Sequence, residues 1–514
     1  MSISELKKGS ILVNAGINVS IPAEYLDDHA LRNSVNFDIS RNLLQKRSGE
    51  TVLGGVIGGT GVEIMNGSQY NREGTKYNVR VGLDKIERYN PTSDVWVDIT
   101  GTDLTATTDD LHDIAIPLLS GKRILTISNG IDVIRKWNAT GDVDYLGGTP
   151  PVAKFIQEYK TYLVCANIAG GTDIAQRVQW SDTAAPETWT GGNSGAVDLV
   201  EDGGDITGMA LYGDYLAIHK DSSIYLGYLV STTAIFQFAR KATGIGTIAN
   251  NSIVNLPTGE QLFLAKNGVA LFNGITVSLI PSAVNDEIRD EFNPEYAFKS
   301  WSVLKKDRDE VWIGIPIGGQ TSGETVYKYN YLTKTLYKDT RTNATFAWVG
   351  SAADSKSWDD FETTWDDEVN RWNENTLNEG SDQINIGHSD GYTTVVDTTK
   401  SNDNGAGIDA YIVTKDFQDS QQQMSRWKSL ELWAKGGSVN VEYSIDGGNT
   451  WVSASNSPLS LDSNFPPYET PDVMWFDVTG SKIRFKFTNT SLTESLTIKQ
   501  FVINYSKREL RSNG

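Results

Sequence analysis

The sequence predicts an all-β chain: a β-propeller of about seven blades followed by a C-terminal antiparallel β-sandwich. Three observations predict it. Helical periodicity is scarce. Short alternating apolar runs are separated by Gly, Asn, Asp and Ser. One strand–turn–strand unit recurs along most of the chain. The 514 residues, 39% hydrophobic and 10% aromatic, are enough for sizeable cores and exclude a mainly disordered chain.

Residues 1–59 read as an entry segment that contributes a closing strand to the propeller. Within it, 26–35 carries weak helical spacing. The stronger helical stretch is 282–296, with Val284, Ile288 and Phe292 on one face, Ser282 as cap and Asn293-Pro294 as stop. Between 60 and 397 the recurring unit is an apolar strand, a polar turn with Gly or Asp-Ser, and a second strand. Its seven copies lie at 77–90, 124–137, 162–182, 216–228, 262–274, 311–330 and 384–397. Strands are expected at 122–127, 131–137, 215–219, 224–228 and 310–315. A repeat of roughly 40–50 residues with several strands each is the mark of a propeller blade, because one such sheet cannot bury both faces alone. Residues 398–407 (TTKSNDNGAG) read as a linker. Strands at 408–414, 427–434, 438–444, 473–477, 482–487 and 498–505 then fit a sandwich over 408–506, followed by a polar, locally basic tail, 507–514.

Charge narrows the function. There are 45 basic and 65 acidic residues, a net of −20. Gripping nucleic acid or docking on an anionic membrane needs clustered Lys and Arg, so both are disfavoured. The single cysteine, Cys165, excludes an internal disulfide and a CxxC metal site. Four scattered histidines (His29, His112, His219 and His388) suggest no metal centre, and no cofactor is expected. The first residues do not read as a secretory signal, and no apolar run is long enough to span a membrane, so a soluble chain is expected.

Two motifs stand out. Residues 444–451 (SIDGGNTW) match the Asp-box hairpin signature through Ser444, Asp446, Gly448, Thr450 and Trp451. Asp446 can accept from the turn backbone and Gly448 can take a positive φ, so the motif reads as structural rather than catalytic. Trp358, Trp365 and Trp372 fall seven apart, but Glu368 and Asn375 break a heptad. They read as an acidic loop, 354–382, with ten acids and two bases, so 8 of the 20 net negative charges lie there. Asp359, Asp360, Asp366 and Asp367, with the three tryptophans, are the candidates for a channel or interface.

Enzyme signatures are lacking. The sequence GNSGA at 192–196 lacks the last Gly of a nucleophile elbow. Gly244-Ile245-Gly246 precedes a β run rather than a helix. Paired acids such as Asp109/Asp110 read as hydrated, and His219 as a wall residue. A sialidase-like site would need converging arginines; Arg123, Arg177, Arg240 and Arg289 are the candidates. The competing reading is therefore a glycan-active or lectin-type propeller, and a third is a peripheral tail-fibre adaptor.

The stretch 16–50 (GINVSIPAEYLDDHALRNSVNFDISRNLLQKRSGE) resembles the entry segment of tail-hub β-propeller proteins of short-tailed bacteriophages, a family of packaged-DNA stabilisation and tail-nozzle proteins. Asn36, Lys46, Arg47 and Gly49 match; Ser48 stands where Pro is common and Asn42 where Gly is common. VQWSDTAAPETWTG (178–191), with Trp180, Ser181, Asp182, Pro186 and Trp189, is similar to another block of the family. So are 204–228 and the W-D-D loop. The resemblance implies a structural virion tail protein, made in the bacterial host cytoplasm. It implies a homo-oligomeric ring, commonly a hexamer, between head-to-tail connector proteins and tail fibres or distal tail proteins. The ring would retain packaged DNA and form its ejection channel. A net charge of −20 suits passage rather than grip, since acidic walls repel phosphate.

Overall fold

The computed structural model describes residues 6–11, 15–40, 43–59, 62–169, 174–230, 235–350, 383–418, 424–461 and 471–507. The chain is all-β, with one α-helix among the described residues. Six antiparallel four-stranded arrays follow in sequence: I (64–98), II (113–145), III (152–198), IV (206–243), V (254–279) and VI (301–340). The seventh, VII, is built from Ala344–Gly350, Gln383–His388, Thr393–Asp397 and, out of sequence, Gly49–Val52. Each recurring sequence unit supplies the second and third strands of one sheet.

The first strands touch one another in cyclic order, I to VII, and VII touches I. A separate apolar cluster fills each gap. Tyr70, Val79 and Ile86 meet Leu125 and Trp137 between I and II. Leu262 and Leu264 meet Ile313 and Tyr327 between V and VI. The gap between VII and I is the smallest, with Ile57, Ile64 and Trp348 buried. Polar bonds reinforce it. Trp348 Nε1 donates to Asn78 Oδ1 at 2.8 Å, and Arg80, paired with Glu87, donates to Thr393 Oγ1 at 3.1 Å. A Cβ on Gly67 would lie 2.4 Å from the Trp348 ring, so the close approach of I to VII requires glycine there.

Past residue 408, two sheets enclose one core. One comprises Phe37–Ser40, Leu43–Lys46, Leu496–Lys507, Ser425–Gly436 and Asp472–Gly480, with Leu6–Ile11 also on Leu496–Lys507. The other runs through Leu31–Val35, Ala410–Thr414, Lys482–Asn489 and Ser438–Ser444. Trp427, Leu430, Leu432 and Phe501 of the first meet Ile412, Val441, Phe485 and Phe487 of the second. The second sheet continues sheet VI, because Val35 pairs in parallel with Lys338.

Three expectations need correction. Residues 26–35 are not helical. Asp27 accepts the amides of His29 and Ala30 in a turn, and Leu31–Val35 is a strand on Ala410–Thr414. Its apolar spacing serves tertiary pairing instead. The real helix, Ser282–Glu291, stops five residues before 296 and is preceded by Pro281 as its cap residue. Phe292 turns extended and bridges to Ile317, and Pro294 disfavours helix before it. Asn285 fixes the helix to sheet V, accepting from Val269 N at 2.9 Å and donating to Ile280 O at 2.8 Å. The linker 398–407 is in part ordered into sheet VII, through Asn402–Asp403 and Ala406–Gly407.

Two buried histidines set an acid limit. Neither ring nitrogen of His112 has a partner among the described residues. His219 bonds Gln261 Oε1 through Nε2 at 2.7 Å and packs edge-on to Phe263. Burial pushes both down to about 4. Each is then neutral in the fold and protonated in the unfolded chain between about 4 and 6.5. Their stabilisation is complete above 6.5 and lost as pH falls through 4. The urea midpoint should therefore drop from pH 7 to pH 5. His219→Gln should reduce that drop, by up to about 1.4 kcal/mol per pH unit.

Candidate functional site

The densest arrangement of charge among the described residues is where the entry segment crosses sheets VI and VII. It starts with a backbone requirement. Asn36 sits between two strands at φ +61°, a left-handed conformation that Asn tolerates better than most residues. Its side chain is fully used. Nδ2 donates to Thr340 Oγ1 at 2.9 Å and to Asp409 O at 2.8 Å, while Oδ1 accepts from Arg47 Nε and Thr340 N, both at 2.9 Å.

Arg47 extends the lock. Its guanidinium forks onto Asp403, with Nη1 to Oδ1 at 2.8 Å and Nη2 to Oδ2 at 2.5 Å, and Nη2 also donates to Thr340 O. A planar guanidinium suits this two-point geometry, and lysine does not. Lys46 points the other way, donating to Asn489 Oδ1 at 3.0 Å and Ser491 O at 2.7 Å. Burial and the neighbouring Arg47 pull its ammonium down to about 8. Gly49 follows because nothing larger fits: a Cβ there would lie 1.9 Å from the carbonyl oxygen of Asn402. Asn36, Lys46, Arg47 and Gly49 thus join the entry segment to the end of sheet VI, to residues 400–409 and to the C-terminal core.

Behind this lock lies a buried ion network. Asp38 pairs with Lys328 at 2.8 Å and Arg308 at 3.2 Å. Lys328 and Arg341 both meet Asp339, and Arg341 meets Glu50. Trp312 lies between the two cations, with Lys328 Nζ 4.5 Å and the Arg341 guanidinium carbon 4.7 Å from its ring. Burial works against the Asp38 carboxylate, but Lys328 and Arg308 hold it down to about 2. Glu50 is likewise held well below the carboxylate range, against burial, by Arg341 and His388. Buried pairs of this kind add little net stability, since desolvation offsets attraction, but each is costly to break on one side. The network therefore specifies how the entry strand docks.

The other sequence candidates separate. In the Asp-box, Asp446 accepts from Thr450 N at 3.0 Å and Thr450 Oγ1 at 2.6 Å, and Ser444 Oγ accepts from Gly448 N at 2.8 Å. Gly448 has φ +93°, and its Cβ position faces Arg484 and Trp451. This closes the hairpin between Ser438–Ser444 and Val452–Ser453. The hydroxyls and amides around Asp446 lower its carboxyl, and its oxygens are occupied by the turn itself. The four arginines stand apart. Arg123 is near Glu158, Arg177 on Asp198, Arg240 near Asp202, and Arg289 on Asp286 and Asp290. The block at 178–191 is a compact loop of sheet III. Trp180 Nε1 donates to Asn193 O at 2.9 Å, Asp182 Oδ1 accepts from Asn193 N at 3.0 Å, and Trp189 is buried beside Leu163 and Cys165. The acidic loop carrying Trp358, Asp359, Asp360, Trp365, Asp366, Asp367 and Trp372 lies outside the described residues. No group of His, Cys, Asp and Glu suited to a metal occurs among the described residues, and no described helix is long and apolar enough to cross a membrane.

No family model matches the chain, and no curated protein matches it.

The lock makes a coupled prediction. Arg47→Ala leaves Asp403 without its cation and should cost about 3–5 kcal/mol of unfolding free energy. Gly49→Ala must displace Asn402, and with it Asp403. The double variant should therefore cost clearly less than the sum of the two, measured by urea unfolding in a double-mutant cycle.

Proposed function

We propose that this chain is a structural tail protein of a short-tailed bacteriophage: a seven-bladed β-propeller joined to a C-terminal β-sandwich, assembling as a ring through which packaged DNA leaves. The observation that carries this reading is a coincidence. Of the four residues that carry the resemblance in the entry segment, Asn36, Arg47 and Gly49 lock it beside the strand that completes sheet VII, and Lys46 anchors it in the C-terminal core. A sequence signature with that mechanical role belongs to a family architecture rather than to a catalytic site. Seven four-stranded arrays whose first strands touch in cyclic order support reading them as blades.

The passage for DNA lies between copies, not through one. Near the starts of the first strands of I and VII lies a cavity of about 10 Å³ bordered by Glu63, Leu111, Asn251, Lys299 and Thr345. Lys299 is buried there, 3.9 Å from Glu63 and 3.8 Å from Asp109. No nucleic acid strand enters such a space. Channel walls then come from surfaces that copies turn toward a common axis, and a net charge of −20 per copy keeps phosphate from sticking to them. The acidic loop 354–382 is the element we assign to that lining, on its sequence alone: a net of −8 beside three tryptophans that would be an aggregation hazard on a free surface.

Two measurements test the reading. Electron microscopy of the purified protein, alone and with the head-to-tail connector, should show rings, commonly of six; monomers under both conditions would overturn it. Replacing Asp359, Asp360, Asp366 and Asp367 with Asn should leave folding nearly unchanged and slow genome ejection, most at low salt where screening is weakest. A tail structure with this loop on the outer rim would refute its placement.

A further inference from the structure

His388, at the end of the strand Gln383–His388, is buried against the closing strand Gly49–Val52. Both of its ring nitrogens are engaged. Nδ1 lies 3.1 Å from Thr342 O, and Nε2 lies 2.8 Å from Thr394 Oγ1. The proton count follows from the partners. A carbonyl oxygen can only accept, so Nδ1 carries a hydrogen. Thr394 has one hydroxyl hydrogen and points it at Glu50 Oε2, 2.5 Å away. Glu50 forms a buried ion pair with Arg341, which holds it ionised well below the usual carboxylate range, so it cannot return a proton to Thr394. With its hydrogen spent, Thr394 Oγ1 must accept from Nε2. Both nitrogens then bear hydrogen, and the ring is an imidazolium.

We infer that His388 is a protonated latch pin, and that the strand closing sheet VII is held at acidic and neutral pH and loosens as the solution turns alkaline.

The surroundings agree. Glu50, from the closing strand, and Asp390, from the turn after His388, favour the charged ring; Arg341, from the end of sheet VI, and Arg47, from the entry segment, face the same Glu50 carboxylate and oppose a further cation. Burial opposes the charge as well, yet the Glu50 hydrogen bond and charge prevail and raise His388 above 6.5. A raised histidine contributes stability that is complete below its unfolded value and lost as pH rises through its folded value. This sign is opposite to that of His112 and His219. When the proton leaves, Nε2 becomes an acceptor facing an acceptor, and the chain Thr342–His388–Thr394–Glu50 breaks at its centre. The strand at risk has four residues. It pairs Glu50 with Val396 and Val52 with Thr394, and beyond it Leu53 N donates to Thr393 O at 2.8 Å. Glu50 itself stays ionised far into acid, so the lower limit of the latch is remote and the upper limit belongs to the histidine.

The test uses the intact wild-type protein first. With only four histidines in the chain, selective imidazole labelling gives four resolvable ring systems, assigned by single His→Gln variants. At pH 6 the His388 ring should carry two protonated nitrogens, and its titration midpoint should lie above that of the same residue in urea. A single-hydrogen tautomer at pH 6, or a midpoint at or below the unfolded one, overturns the inference without any reliance on a variant. The consequence is read by amide exchange over residues 49–53, corrected for intrinsic base catalysis. Protection should fall by up to tenfold per pH unit while His388 titrates. In His388→Gln it should be low at every pH and show no such step. Wild-type protection that stays constant from pH 6 to pH 9 also overturns it. Ring assembly is measured separately by electron microscopy, so failure of the tail-protein reading leaves this test intact.

Discussion

A four-stranded sheet in this protein has two apolar faces and can cover neither. Each of the seven therefore depends on two neighbours, and the apolar clusters that stabilise the chain lie between sheets rather than within them. Such a circuit has no natural end. If one sheet failed to complete, the loss would be shared by the gaps on either side of it. All of this weight falls on Gly49–Val52, four residues that must find the last sheet from the far end of the sequence. The closing gap between VII and I is also the poorest in apolar contact.

Charge makes up for what apolar contact lacks there. A hydrophobic four-residue strand would satisfy almost any exposed sheet edge, whereas a strand flanked by Arg47 and carrying Glu50 satisfies only an edge that presents Asp403, Arg341, Thr394 and His388 in matching positions. Misdocking would leave several charges buried and unpaired, a penalty of several kcal/mol for each. The network is thus worth more as discrimination than as net stability. Trp312 packs against both Lys328 and Arg341, adding an apolar contact that helps to position those cations for the acids.

Much of this was legible in the sequence for physical reasons. In most of the seven units a short polar turn separates two apolar strands, so the second and third strands of every sheet could be read from apolar runs and turn residues. The first and fourth strands were less legible. The shortest of them, Val254–Asn255 and Asp144–Tyr145, are two residues long and Asp113–Ala115 three, too short for any period to register. In 131–137 only Arg135–Trp137 is strand, since the preceding residues turn around Asn129, whose side chain holds the amides of Ile131 and Asp132. At 26–35 the apolar spacing matched a helix by accident, and partners nearly four hundred residues away decided otherwise. The lock showed half of itself. Asn36, Lys46, Arg47 and Gly49 stood out together, but Asp339, Arg341, His388 and Asp403 lie far along the chain in ordinary-looking strands and a polar stretch. Their only local signal is charge at core-facing positions such as Lys328 and Asp339.

The entry segment is also a matter of time. Lys46 bonds Asn489, 443 residues later, and Leu6 pairs with Tyr505. On a ribosome adding roughly 5–20 residues per second, these partners emerge about 20–100 s after the segment that needs them. Through that interval these early strands wait for their partners, and the face of sheet I that meets sheet VII stays uncovered. A chain interrupted before residue 393 lacks the strand that receives Gly49–Val52, and one interrupted before residue 403 lacks the Asp403 that locks it. Closure by an early-made strand therefore acts as an inspection for completeness, passed only by chains translated past the residues that receive it.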